Sequence, residues 1–148
     1  MKRTIVAATV LLGGVTILLA QSDPIAQRKE LMKSNASHAK NVTQMVKGEA
    51  PFDAAKATEA FATWSSNAQR VPSLFASPPP AGADTRALPK IWENKADFEA
   101  KAAALKKAAD AGKGKTGSID EVKAAFPAVS KACGDCHEAY RRPAPAQK

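Results

Sequence analysis

Apolar residues recur at helical spacing in four separate stretches of the chain. The first opens at Ser22-Asp23-Pro24, a capping residue followed by proline at a first-turn position. Its apolar positions are Ile25, Met32, Ala36, Ala39, Val42 and Val46, and Gly48 closes it. The second opens near Pro51 and runs through Ala57, Phe61, Trp64, Ala68 and Val71, where Pro72 is expected to stop it. The third carries Phe98, Ala102, Leu105 and Ala109 and ends before Gly112. The fourth begins with Ser118-Ile-Asp-Glu121, a capping-box pattern. Ile119, Val122, Phe126, Val129, Cys133, Cys136 and Tyr140 then follow in alternating steps of three and four, a continuous apolar seam. Pro127 lies inside that seam and predicts a kink.

Residues 72–94 show no such period. They hold Pro72, Pro78, Pro79, Pro80, Gly82 and Pro89 and close on Ile91 and Trp92. A connection of this length inside a small domain needs a reason. A crossover between bundle helices, pinned by Leu74, Phe75 and Trp92, supplies one. Four amphipathic helices with mostly short joints predict an all-α fold, an antiparallel four-helix bundle. An all-α domain with a disordered connector is the alternative.

Ahead of the first helix, Lys2 and Arg3 precede an uncharged run from Ile5 to Ala20. That run is short for a spanning helix and reads as a secretory signal peptide over residues 1–20. Leu18 stands where a small residue is usual before cleavage, so an uncleaved N-terminal anchor is the rival reading. Either way the domain, residues 21–148, lies outside the cytoplasmic membrane, and a periplasmic location is expected. No membrane contact is expected unless the leader is retained.

Composition supports helix over strand: there are five Phe, two Trp and one Tyr against abundant Ala and Lys. The chain carries +8, and the leader removes two basic residues and no acidic one, leaving +6. Basic exported domains can steer toward acidic partners. The lysines are spread along the chain, however, which favours an ordinary solvated surface, and no basic stripe with interleaved aromatics suggests nucleic acid.

The chemistry lies in Cys133-Gly-Asp-Cys136-His137, which contains both cysteines of the chain. C-x-x-C-H is the pattern of covalent haem c attachment. Two thiols add across the vinyl groups, and the adjacent imidazole is presented to the iron. A disulfide would leave His137 unexplained, and a thioredoxin-like pair needs a βαβ context that is absent. A zinc site needs four ligands, and the other histidine, His38, is remote in sequence. One covalent haem on the seam of the last helix would sit between helices.

The opposite face of the iron can take Met, His or nothing. Candidates are Met32, Met45 and His38. In an antiparallel bundle His137 stands roughly 8 Å from the end of helix four, Met32 roughly 13 Å from the start of helix one, and Met45 roughly 33 Å from that start. Only Met32 matches in depth, either as a ligand or as a core methionine packed on the haem face. Met45 reads as core and His38 as a solvated or partly buried helix residue. Arg28, one turn before Met32, is either a partner for a haem propionate or a surface arginine. Arg141, one turn after His137, either covers that histidine or complements the helix C-terminus.

The sequence resembles the class II c-type cytochromes, the family that includes cytochrome c-prime. The resemblance rests on Arg28-Lys-Glu-Leu-Met32, Val46-Lys-Gly-Glu-Ala-Pro-Phe52, Pro89-Lys-Ile-Trp92, Lys131-Ala-Cys133-Gly-Asp-Cys136-His137 and Tyr140-Arg141, in that order. It implies a four-helix bundle with haem near one end, and dimers through the first two helices. One branch is five-coordinate and binds nitric oxide or carbon monoxide. The other is low-spin, with a methionine of the first helix as second ligand, and Leu31-Met32-Lys33-Ser34-Asn35 is most similar to that branch, the cytochromes c-556. Two functions follow. The first is electron transfer with redox partner proteins, with His137 and Met32 as axial ligands. The second is binding of small gaseous ligands beside Met32. No distal His, no carboxylate pair and no Arg beyond Arg28 suggests an enzyme.

Overall fold

The structure, a computed structural model, describes residues 23–143. The leader over residues 1–20 lies outside the described residues. Four long helices are α1 (Pro24–Lys47), α2 (Ala54–Leu74), α4 (Lys95–Gly112) and α5 (Ile119–Tyr140), with a single-turn α3 (Lys90–Glu93) ahead of α4. α1 packs on α2 and α5, and α4 packs on the same two, closing a four-membered ring. None of the described helices is long and apolar enough to cross a membrane.

Local chemistry fixes the helix ends. Asp23 accepts the N–H of Ile25, with Pro24 filling the first turn where its missing N–H costs nothing. Gly48, at φ 74°, ends α1 in the left-handed conformation that glycine adopts without strain. Asp53 caps α2, two residues after Pro51, where the sequence places its opening. Ser118 and Glu121 exchange both bonds of a capping box at the start of α5.

One proline expectation is corrected: α2 continues through Pro72 to Leu74, while α5 runs on both sides of Pro127. The locked φ of proline is itself helical, so the ring removes one donor without forbidding the turn. At Pro72 the loss is offset by packing, because Val71 and Phe75 on either side are buried. A further correction concerns α1. Ala36 is exposed, and the buried face runs through Arg28, Leu31, Asn35, Val42 and Met45. The stripe is rotated because two polar side chains on it find distant partners. Asn67 Nδ2 donates to Asn35 Oδ1 at 2.8 Å, and the indole N–H of Trp64 donates to the Asn35 carbonyl at 3.2 Å.

The core has two parts. One surrounds Phe61 and Trp64, whose rings meet edge-on at 5.2 Å, with Val42, Met45, Val122 and Val129 around them. Each such aromatic contributes about 2–3 kcal/mol through burial. The other gathers Leu31, Val71, Phe75, Ile91, Phe98, Ala102 and Tyr140 at one end of the bundle.

Candidate haem site

The second core part forms the floor of an open-mouthed cavity of about 320 Å³. The start of α1 contributes Ile25, Arg28 and Met32, and the end of α2 contributes Phe75. Phe98 comes from the start of α4, and Cys136, His137 and Tyr140 from the end of α5. Four alternating helix termini therefore meet here, as an antiparallel bundle requires. Its size lies within the usual range of small-ligand pockets.

The connector completes the wall with Asp84, Thr85, Arg86 and Ala87. It is held there by a backbone clasp: Leu88 N–H donates to the Tyr140 carbonyl at 3.0 Å, and Arg142 N–H donates to the Arg86 carbonyl at 2.8 Å. The sequence reading missed these connector residues and also Ile91 and Tyr140. The prolines of 72–94 mark irregular backbone, and only long-range pairing shows where it lies.

Of the sequence-derived candidates, Met32, Arg28, Cys136, His137 and Arg141 line this one cavity. Cys133 is not on its wall; it packs against the Phe61–Trp64 core. Neither cysteine is in a disulfide, and burial would raise the pKa of each as a thiol. Met45 is buried at the far end of α1, where its sulfur accepts the N–H of Asp53 at 3.3 Å. His38 is half-buried and does not line the cavity.

The residues present suit an amphipathic macrocycle with acidic edges. The inner wall is apolar, through Ile25, Phe75, Ile91 and Phe98. Burial, then Arg141 and Arg86, holds His137 below the ordinary histidine pKa, so a neutral imidazole with a free lone pair faces the cavity. Arg28 is deeply buried. Its Nε donates to the Leu74 carbonyl at 2.6 Å and its Nη2 to the Ser77 carbonyl at 3.0 Å, while its Nη1 is buried without a partner. A cationic residue on the cavity lining with one donor unused fits an anionic group of the ligand.

A family model described as Cytochrome C' matches residues 23–141. The chain belongs to the cytochrome c-prime family. Cytochrome c-555 of Bradyrhizobium diazoefficiens is 37% identical over 145 residues, covering 95% of this chain and 97% of that protein. The solved structure of cytochrome c' from Rhodopseudomonas palustris matches at 38% identity with a TM-score of 0.76, covering 84% of this chain and 100% of that one. A structure of oxidised cytochrome c556 from the same organism matches at 33% identity and a TM-score of 0.75, with the same coverage. Haem c is the cofactor, attached covalently through Cys133 and Cys136, and the chain is a haem protein of an electron-carrier family.

Proposed function

We propose that this cytochrome is an exported, six-coordinate electron carrier whose iron is held by His137 and Met32. The carrying observation is that Met32 of α1 and His137 of α5 line one cavity together with the attachment residue Cys136. Bound haem supplies a one-electron couple between ferric and ferrous iron. The chain does the rest. His137 offers its neutral nitrogen, and Met32 offers a thioether that leaves no vacant position for a gas. Arg28 Nη1 receives a propionate, and Arg141 shields the histidine side. Export to the periplasm rests on Lys2, Arg3 and the uncharged run that follows them.

A five-coordinate gas binder is the second reading, favoured by the 38% identity to a cytochrome c'. Electron paramagnetic resonance of the ferric holoprotein separates the two. A low-spin signal that turns high-spin in Met32→Ala is expected. A purely high-spin wild type, with carbon monoxide taken up by the ferrous form, would overturn the first reading.

A further inference from the structure

The charge on this bundle is unevenly balanced. Ten lysines, from Lys29 to Lys131, lie within 4.0 Å of a carboxylate. Nine basic side chains among the described residues belong to no ion pair; Lys40, Arg70, Lys107 and Lys115 are among them, and four others, Arg86, Lys90, Arg141 and Arg142, gather around the cavity mouth. Arg86 and Arg141 line the cavity, and Lys90 Nζ lies 5.8 Å from the centre of the Tyr140 ring on its wall. The lining includes one carboxylate, Asp84, which is already bonded to Lys29 at 2.6 Å.

This cluster is built rather than incidental. Arg86 Nε and Nη2 donate to the Arg142 carbonyl at 2.9 and 2.7 Å, and Arg142 Nη2 donates in return to the Thr85 carbonyl at 2.5 Å. Backbone acceptors fix the guanidinium groups without neutralising them. Like charges held together repel, so the rim gains when an anionic surface meets it. Haem propionates do not exhaust it: the donor without a partner is Arg28 Nη1, whereas Lys90 and Arg142 are exposed and lie off the cavity lining. A lipid surface is disfavoured, because the one large exposed hydrophobic among the described residues is Phe52, at the opposite end of the bundle.

We infer that Arg86, Lys90, Arg141 and Arg142 form the docking surface for an acidic redox protein, whose carboxylates settle around the mouth of the haem cavity. This rests on the electron-transfer reading. Carboxylates ringing a partner's own electron entry site would bring the two centres close and raise the encounter rate.

The test follows oxidation of the ferrous holoprotein by hexacyanoferrate(III) in stopped flow, from about 10 mM to about 0.5 M ionic strength. Two double variants each remove two positive charges: Lys90→Gln with Arg142→Gln at the rim, and Lys107→Gln with Lys115→Gln elsewhere. Lys107 and Lys115 are exposed and in no ion pair, and Lys115 precedes α5, about 27 Å along that helix from His137. The rim variant should oxidise at least about threefold more slowly at low salt and equally fast at high salt, with the control nearly unchanged. Poly-L-glutamate should slow the wild type and the control but not the rim variant. Equal losses in both variants, or a wild-type rate indifferent to salt, would overturn the inference. So would tighter binding to phosphatidylglycerol vesicles than to poly-L-glutamate. The ferric spin state is read separately, so failure of Met32 ligation and failure of the docking surface are distinguishable.

Discussion

Tyr140 donates its phenolic hydrogen to Asp97 Oδ2 across 2.5 Å, joining the last turn of α5 to the first turn of α4. The ring is 2% exposed and stands edge-on to Phe98 at 5.3 Å, on the cavity wall. Three residues earlier stands His137. The pair therefore sets where the end of the haem-bearing helix lies relative to the opposite wall.

The hydrogen bond to Asp97, followed by burial, pushes the Tyr140 pKa up to about 12. A folded value raised above the ordinary one of about 10 means that the protonated phenol stabilises the fold. That contribution is complete below about pH 10 and disappears as pH rises toward about 12. Tyr140→Phe should lower the neutral-pH Tm by roughly 4–8 °C, and the difference from wild type should shrink across that alkaline window. Urea midpoints measured from pH 7 to 12 give the comparison. A gap that stays constant through pH 12 would contradict it.

Arg28 binds the carbonyls of Leu74 and Ser77 and stacks over Phe75, 4.5 Å from its centroid. It thus caps the C-terminal end of α2 and secures the start of the connector. Arg28→Leu should cost about 2–3 kcal/mol by leaving both carbonyls without a donor. The amides of Phe75, Ala76 and Ser77 should exchange with solvent faster, while those at the centre of α5 follow only the global change. Arg28→Lys keeps the charge but not the fork, and should recover only part of the loss. Exchange that accelerates uniformly along the chain would refute the local role.

Gly112 ends α4 against the face of Phe61, and an added Cβ would collide with three atoms of that ring. Alanine would gain about 1 kcal/mol in helix propensity. Phe61 is fully buried against Trp64 and cannot swing away, so overpacking of about 1–3 kcal/mol should prevail. Gly112→Ala is therefore expected to lower the denaturant midpoint. A rise would show that the ring has room to shift.

Patterns carried by neighbouring residues were legible in the chain. The α5 seam is entirely buried or half-buried, from Ile119 to Tyr140, and the α2 series Ala57, Phe61, Trp64, Ala68 and Val71 is wholly buried. Both record a helix turning one face to a core, which needs no knowledge of the partner. The α1 stripe was misjudged where burial depends on remote groups: Asn35 is admitted by Asn67, and Arg28 by two carbonyls of the next helix end. A polar residue reads as exposed until its partner is known. The cavity was half legible for the same reason. Cys136, His137 and Met32 announce themselves by chemistry and depth, whereas Arg86 and Ala87 join the wall only because the connector pairs with residues more than fifty positions onward.

The bonds that join Leu88 to Tyr140 and Arg86 to Arg142 run from main chain to main chain. They ask nothing of the side chains at those positions beyond an available N–H. Lys90 and Arg141 can thus exchange their charges while the wall stays closed, whereas Arg86 and Arg142 also tie the clasp through their guanidinium groups. At the first two positions partner choice and cofactor housing are separable, and a lineage or a designer could alter one and leave the other intact.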